Sequence, residues 1–456
     1  MSEVQPAAIS KPPDGTSPAP TPAPHDHWTA VERIAFRFAF VYLVLYCWPD
    51  AGRSSLLDAI PALGPGAANE SDTQKLTKFL EAPVHTLCSW TAVHIFHLGG
   101  PVTRYHPTGS GDTTLDYIQV FCFAVIASVA ALVWSLVDRR RAQYGTPYAW
   151  LRLLVRFTLA FTMLSYGFVK VFPLQFGTPA LSQLTETYGE SSPMGLLWTF
   201  MGASTPYTIF AGMAEATAGL LLLFRRTTAL GALLAVGVLS NIVALNFCYD
   251  VPVKLYSSHL LAMALFLLIP ELGALWGFFV LHRMSRPEGA WLPPFRRLRL
   301  RRAVVALQAF VIASVLYNNI WGDYKRTRQY AAFYKHPSLY GVWDVDSFSR
   351  NGSVANPPWH RMFIDAAGYL IVRTPEDGDT FFQTTYEESR YTVKLVNRRA
   401  KQEGAFTYSQ PDKEDLQFSG TLNHEAVVIR FHSLHTKQFL LTTRGFNWIN
   451  EDPFNR

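Results

Sequence analysis

Charged residues are scarce in this chain of 456 residues, since Asp, Glu, Lys and Arg together account for 16%, against about 25% in ordinary soluble domains. Hydrophobic residues account for 49% and aromatic residues for 14%. This composition excludes a disordered chain, a coiled coil and a collagen-like repeat. We therefore expect a strongly apolar part joined to an ordinary polar part.

Cysteine is also scarce, with four residues and no Cys-x-x-Cys pair, which excludes a zinc ribbon, a thioredoxin-like motif and a disulfide-dense scaffold. The chain has no Walker-type glycine-rich loop, no Gly-x-Ser-x-Gly elbow and no His-Glu-x-x-His motif. His94 and His97 lie three residues apart, but no third ligand stands at a clear spacing. We therefore predict no metal site.

Residues 1–27 are rich in Pro and Ala and contain no apolar core of a signal peptide. We predict that they form a disordered tail. Insertion of the chain into a membrane must then depend on the first apolar helix.

Long apolar segments dominate residues 28–322, for which we predict a helical membrane domain. Crossing a bilayer takes about 20 mostly apolar residues, and seven segments approach this length. A further stretch, 83–98, is short for a crossing, and we predict an interfacial or re-entrant helix there. The seven segments are 33–48, 115–137, 150–172, 207–224, 227–247, 255–281 and 303–321.

Basic residues alternate between the connecting loops. The loops 138–149 and 282–302 and the pair Arg225–Arg226 hold thirteen Lys and Arg residues when Arg152 is included, whereas the opposite loops hold five. The positive-inside rule then predicts a protein of the bacterial inner membrane with a cytoplasmic N-terminus. The same clustering explains the net charge of +6 without a nucleic-acid partner. The loops predicted outside are 49–114, 173–206 and 248–254.

The last quarter of the chain has a different pattern. From about residue 323, short alternating segments are separated by turn signals such as Asn351-Gly352. This pattern predicts a small antiparallel all-β sandwich or barrel over 323–456, outside the membrane and carried on a helical stalk at 323–335. The run Gly341-Val342-Trp343 resembles the start of lipocalin-like barrels. The simpler interpretation is a tryptophan that closes one end of a β core.

Three ionisable residues inside the apolar segments are our candidate catalytic residues: Lys170, Glu215 and His259. Placing such a group in a membrane span costs about 2.5–3.5 kcal/mol on insertion scales. The presence of each of these residues in an apolar segment therefore needs a structural or functional explanation. Lys170 could snorkel to the interface, and His259 could serve helix packing. Glu215 lies near the middle of its predicted helix and cannot snorkel.

Four further residues are our candidates for ligand binding: Arg156, Tyr166, Asn246 and Asp250. The predicted topology places Lys170, Asn246, Asp250 and His259 at one depth towards the outside. A polar cavity that opens outward would explain this shared depth.

Two further features lie on the predicted outer side. The four cysteines, Cys47, Cys88, Cys122 and Cys248, would face an oxidising compartment, so disulfides, a thiol relay and buried free thiols are all open. The turn Gly109-Ser110-Gly111-Asp112 precedes a helix, where Asp112 or Thr113 could be the N-cap. An anion-binding nest is the alternative for this turn.

Two motifs carry a resemblance to a known family. Gly167-Phe168-Val169-Lys170 ends one helix, with Arg156 about three turns earlier, and Glu215 in the next helix is followed four residues later by Gly219. The segment 150–270 resembles the DoxX/DoxD family of membrane proteins. This resemblance implies a four-helix core and, from some DoxD members, the quinone-linked subunit of a thiosulfate oxidoreductase.

The flanking sequences extend this resemblance. The runs 109–114 and 444–451 are similar to those of a larger DoxX-type subgroup. The helix that ends at Lys170 also weakly resembles the membrane domain of vitamin K-dependent carboxylases, which joins a helical bundle to an extracytoplasmic β domain.

Two functional hypotheses follow. The first is a redox-associated membrane protein, a candidate oxidoreductase subunit. It would bind a quinone or lipid-like ligand between helices near the outer face, where Lys170 holds an anionic headgroup and Glu215 or His259 moves protons. The second is a non-enzymatic anchor that presents the β domain to a lipid or protein partner. A transporter ranks last because the chain has no evident inverted repeat.

Overall fold

The computed structural model describes residues 28–47, 70–105, 108–283, 298–333, 335–366, 368–376, 378–434, 439–445, 447–449 and 451. The predicted disordered tail and residues 49–69 of the predicted outside loop lie outside these ranges.

Helices make up the first part of the described chain, and six stretches are long and apolar enough to cross a membrane. They are Thr114–Val137, Gly145–Val171, Thr205–Leu223, Arg225–Cys248, Lys254–Phe279 and Arg302–Ala331. The predicted helical bundle is therefore confirmed. The helices are α1 Ala30–Tyr46, α2 Glu70–His94, α3 Thr114–Val137, α4 Gly145–Val171, α5 Leu181–Leu184, α6 Pro193–Ala203, α7 Thr205–Leu223, α8 Thr228–Cys248, α9 Lys254–Leu268, α10 Leu272–Phe279, α11 Leu298–Phe333 and α12 Leu440–Thr443.

The first of the seven predicted crossings corresponds to α1, which has 17 residues and is shorter than the six stretches. Helix α1 nevertheless packs in the bundle, antiparallel to α3. Arg33 in the first turn of α1 donates to Arg141 O beyond the end of α3 at 3.1 Å. Arg37, in the middle of α1, donates to Ser135 Oγ at 2.6 Å and to Asp138 O at 2.8 Å at the end of α3. These bonds, with two more to Tyr144, satisfy a buried guanidinium.

Helix α2 has 25 residues, contains Pro83 and is not among the six stretches. Its Cys88 and Ala92 pack on Leu115 and Ile118 in the first half of α3. The packing of α2 on α3 does not test whether 83–98 lies at the membrane interface, so that interpretation stays a prediction.

The turn before α3 joins two helix starts. Thr113 is the N-cap of α3 and forms a capping box with Asp116. Asp112, the other predicted cap, instead accepts from the backbone N–H groups of Lys254 and Leu255 at 2.8 and 2.9 Å. Asp112 thereby caps α9, and α3 and α9 begin at the same end of the bundle.

Helices α4 and α7 pack antiparallel at very short range because glycines line their contact. A Cβ on Gly212 would lie 2.6 Å from Gly167 O, and one on Gly219 would lie 2.9 Å from Ala160 O. Small residues of this kind let helix backbones approach closely in membranes. A larger side chain at either glycine would push the two helices apart.

The carboxyl-terminal domain is a closed antiparallel barrel of eight strands, because β1 pairs with both β3 and β9. The two-residue strand β2 only extends one edge of β1. The prediction of a small all-β domain is confirmed, as a barrel rather than a sandwich. The strands are β1 Gly341–Arg350, β2 Ser353–Val354, β3 Arg361–Ala366, β4 Tyr369–Arg373, β5 Asp379–Glu387, β6 Thr392–Asn397, β7 Gln402–Ser409, β8 Asp415–Leu422 and β9 Glu425–Leu434.

Large apolar side chains fill the barrel. Trp343, Phe382, Phe418 and Phe431 are buried in one cluster, and the Trp343 indole donates to Leu339 O at 3.0 Å. This agrees with the simpler interpretation of Trp343 as a core residue. Residues 323–333 of the predicted stalk are the end of α11, which runs without a break through the predicted domain boundary at 322.

The outer face of the barrel docks on the segment between α4 and α6. Leu181 of α5 packs between Val342 and Phe363, whose side chains point outward from β1 and β3. The Leu181 N–H also donates to the Asp365 carboxylate at 3.1 Å, and Arg373 donates to Ser182 O at 3.3 Å. An apolar contact with a polar rim therefore joins the barrel to the helical domain.

We expect Leu181→Asp to release the barrel from α5. Burial of a leucine side chain stabilises a contact by about 1.5–3 kcal/mol, so cleavage within 173–192 by a protease should become about tenfold faster or more. Tyr188→Asp is the matched control, because Tyr188 is exposed on the same segment. Equal cleavage rates in the two variants would contradict the docking contact.

Candidate functional site

A cavity of about 870 Å³ lies among α4, α6, α7, α8 and α9. Helices α7 and α8 close one end of it, where a Cβ on Gly231 would lie 2.8 Å from Leu222 N. The walls are mostly apolar, with polar side chains on α4, α7, α8, α9 and the segment after α4. The polar residues among the described lining are Thr162, Tyr166, Lys170, Gln175, Tyr207, Glu215, Asn241, Asn246, Tyr256 and Ser257.

A buried ion pair forms one wall of the cavity. Lys170 Nζ donates to Glu215 Oε2 at 2.9 Å, and the two side chains are only 9% and 4% exposed. Lys170 Nζ also donates to Tyr166 O at 3.3 Å and lies 5.5 Å from the centre of the Tyr166 ring. Lys170 therefore turns inward to Glu215 and does not snorkel to the surface.

The glycine contact between α4 and α7 positions this pair. Gly212 lies one turn before Glu215 on α7, and a Cβ there would come within 2.7 Å of Lys170 Cβ. Gly167 lies one turn before Lys170 on α4 and packs directly on Ala216. Since both helices present a glycine beside the charged residue, their backbones approach closely enough for the ion pair to form between them.

Neutral polar groups lie on the other walls. Asn246 Nδ2 donates to Ser257 Oγ at 3.0 Å, and the hydroxyls of Thr162 and Tyr256 are 3.4 Å apart. Gln175 Oε1 is buried and has no hydrogen-bond partner within the described ranges. The cavity can therefore hydrogen-bond a polar headgroup on more than one side.

The net charge of the cavity wall is zero, because Lys170 and Glu215 are the two charged residues of its described lining. A lysine already paired with a buried glutamate does not offer a free positive charge. This arrangement suits a neutral polar group better than an anion.

His259 does not join this site, contrary to our expectation. Its Nε2 lies 2.6 Å from the Tyr42 hydroxyl and its Nδ1 lies 2.7 Å from Leu255 O. Its ring stacks on Tyr46 with a centroid distance of 4.0 Å. His259 thus faces α1, where it links α9 to the end of that helix.

Two predicted ligand-binding residues also lie elsewhere. The side chain of Asp250 is 83% exposed and pairs with Lys254 Nζ at 2.7 Å. Arg156 lies nearer the start of α4, with its guanidinium 4.8 Å from the centre of the Phe157 ring. The structure therefore brings together Lys170, Glu215, Tyr166 and Asn246 from our candidates, and it separates the other three from them.

Sequence reasoning missed Thr162, Gln175, Tyr256 and Ser257 of the cavity wall. Hydroxyl and amide residues are common in membrane helices, so these residues carried no signal of their own.

Cys47, Cys122 and Cys248 are free thiols, and Cys248 is the exposed one of these three. Cys122 Sγ donates to Thr91 Oγ1 at 3.4 Å. Of the alternatives considered, the structure thus shows thiols rather than disulfides at these three positions. Within the described part of the chain, no group of three or more His, Cys, Asp or Glu residues could hold a metal ion.

The fold and the cavity define a helical membrane protein that carries a β-barrel after its last long helix. The chain is 37% identical over 126 residues to the uncharacterized protein YwoB of Bacillus subtilis (strain 168), which is 27% of this chain and 79% of that protein. The chain belongs to the same family as YwoB. No family model matches the sequence, and no solved structure matches it.

We expect Lys170→Met to destabilise the helical domain by about 3–5 kcal/mol, because it leaves the Glu215 carboxylate buried without its partner. The double variant Lys170→Met/Glu215→Leu should recover much of this loss, since both charges are then removed. Thermal unfolding in detergent measures the effect. Lys254→Met is the control, because Lys254 pairs closely with exposed Asp250. Its Nζ is also 3.9 Å from Asp112, but Asp112 keeps its two backbone hydrogen bonds to α9, so this change should cost much less. The single variant Glu215→Leu completes the comparison. A loss of stability in the double variant equal to the sum of the losses in Lys170→Met and Glu215→Leu would contradict a direct ion pair.

Proposed function

We propose that this protein binds an isoprenoid quinone or a similar neutral, lipid-like molecule in the cavity between α4, α6, α7, α8 and α9. The observation that carries this proposal is a buried Lys170–Glu215 pair in the wall of an apolar cavity of about 870 Å³. Small-molecule sites have volumes of about 300–1,000 Å³, so the space suits a headgroup and the first part of an isoprenoid chain.

The charge balance of the wall favours a neutral headgroup. A phospholipid phosphate would add a third charge beside a pair that already neutralises itself, and burying an unpaired charge is costly. A quinone or quinol carries no net charge and offers oxygens that accept or donate hydrogen bonds. This consideration replaces our first expectation that Lys170 holds an anionic headgroup.

The position of the cavity suits a ligand that arrives from the bilayer. Phe210 of α7 and Leu230 of α8 line it and are 68% and 57% exposed. Exposed apolar side chains at its edge would face lipid in a membrane-embedded bundle. A lipid-soluble molecule could therefore reach the cavity from the lipid-facing side of the bundle without crossing water.

The chemistry available at the headgroup is proton exchange. A quinone takes up two protons and two electrons when it becomes a quinol, and Glu215 with Lys170 is a pair that can hold or release a proton in a water-poor site. The DoxX-like motifs add the redox association, with the protein as a membrane oxidoreductase subunit. His259 has no part in this proposal, because it faces α1.

The proposed orientation places the N-terminus in the cytoplasm and the barrel in the periplasm or outside the cell. Its support is the distribution of basic residues along the sequence, with thirteen in or next to one set of predicted loops and five in the opposite set. In this orientation, Lys170 and Asn246 lie towards the outer face.

A second candidate function is a membrane anchor that presents the barrel to a lipid or protein partner. The docking of Leu181 on the outer face of the barrel and the filled barrel interior favour it, because both features suit a rigid display module. Under this alternative, the cavity holds bulk membrane lipid.

Quinone extraction from purified protein tests the first proposal. Gly237 lines the cavity and has open space where a Cβ would lie, so Gly237→Phe should fill the site without disturbing the backbone. We expect wild-type protein to retain about one quinone per chain and this variant to retain about tenfold less or lower still.

Gly273→Phe is the matched control, because Gly273 of α10 also has open space but does not line the cavity. It should retain quinone like the wild type. Absence of quinone from wild-type protein, or equal retention in both variants, would refute the quinone site. Membrane phospholipid in its place would favour the anchor.

A further inference from the structure

The segment that joins α4 to α6 contacts the cavity near its start and the barrel further along. Gln175 and Phe176 line the cavity, and Leu181, five residues after Phe176, is buried against the outer face of the barrel. Five residues of chain span at most about 18 Å. The part of the segment that docks on the barrel is therefore close enough to affect the position of the cavity wall.

The cavity end of this segment is tightly packed on α6. Phe176 is buried in one cluster with Leu197 and Met201 of α6, and these three side chains, which we call the roof, all line the cavity. A Cβ on Gly202 of α6 would lie 2.1 Å from Gly177 O, so the end of α6 lies directly on the segment. A shift of the segment would therefore displace the roof.

The barrel end of the segment is held by contacts with β1, β3 and β4. Leu181 is 2% exposed in this contact, and its N–H donates to the two carboxylate oxygens of Asp365 at 3.1 and 3.3 Å. Arg373 donates to Ser182 O at 3.3 Å. None of these residues belongs to the described lining of the cavity. The contacts with the barrel therefore hold the segment in place without touching the cavity.

We propose that Leu181 is a positioning residue for the ligand site: docked on the barrel, it holds Gln175 and Phe176 in the cavity wall and thereby strengthens quinone binding. If the segment were released, a ligand would have to order it again on binding, which costs conformational entropy. This inference rests on the proposed quinone site and gives the barrel a part in ligand retention.

The coupling between the docking contact and the cavity acts in both directions. When one binding event strengthens another within a protein, the second strengthens the first by the same factor, typically about 5–150-fold. A bound quinone should therefore also stabilise the docking of the barrel on the segment.

Quinone extraction from Leu181→Asp and Asp365→Ala tests the coupling from the two sides of the docking contact. Asp365 belongs to the barrel, so Asp365→Ala leaves every residue of the described cavity wall unchanged. We expect Leu181→Asp to retain about tenfold less quinone than wild-type protein, and Asp365→Ala several-fold less. Leu181→Met should retain quinone like wild-type protein, because methionine can fill the same apolar contact.

Two controls separate the docking contact from general damage to the segment or the barrel. Tyr188 is exposed on the same segment. Asp346 is exposed on β1, where it pairs with His432. Tyr188→Asp and Asp346→Ala should both retain quinone like wild-type protein.

Protection from proteolysis is a readout that a purely structural role of Leu181 would not change. Ubiquinone-1 and menaquinone-1 are added separately to the full chain in detergent, and cleavage within 173–192 is followed. We expect at least one of them to slow cleavage of wild-type protein about tenfold. Neither should slow cleavage of Gly237→Phe, in which the cavity is filled.

The outcomes distinguish the coupling from the quinone site itself. Wild-type protein that holds no quinone would refute the quinone site and the coupling together. Asp365→Ala keeps the test informative if Leu181→Asp does not fold. Quinone retained by Asp365→Ala or folded Leu181→Asp as well as by wild-type protein would overturn the coupling alone, and so would cleavage that neither added quinone slows.

Discussion

The close contact of α4 with α7 is the constraint on which the site depends. A lysine and a glutamate can stay buried in an apolar bundle only if each neutralises the other, and that needs two backbones at very short range. Gly167 and Gly212 allow the two backbones to approach this closely, since a Cβ on Gly212 would collide with the backbone of α4. The ion pair and the glycine contact therefore depend on each other.

The cavity follows from the way α8 and α9 complete this helix pair. Helix α8 packs tightly on α7 at Gly231, whereas further along α8 the residues Gly237 and Asn246 line open space with α4 and α6. The bond between Asn246 and Ser257 then holds α8 to α9 at the far wall. One end of the helix group is thus packed, and the space towards the other end is large enough for a ligand.

The barrel has a hydrophobic core separate from that of the helical bundle. Its interior is filled by aromatic side chains, so the described structure offers ligand space in the bundle rather than in the β domain. The two cores meet where Leu181 enters the outer face of β1 and β3. The segment between α4 and α6 therefore borders both the proposed ligand site, through Gln175, and the barrel, through Leu181.

The sequence by itself determined the kinds of structure and the two charges that matter. Apolar runs and alternating segments depend on local periodicity, which is why the bundle and the β domain could be predicted, and a lysine and a glutamate stand out in apolar helices because they need a partner. Tertiary structure decided which helices meet. In the folded chain, His259 contacts Tyr42 on α1 and Asp250 is exposed. The sheet closes into a barrel, and Lys170 faces Glu215. These outcomes depend on contacts between residues far apart in the chain, which local pattern does not encode.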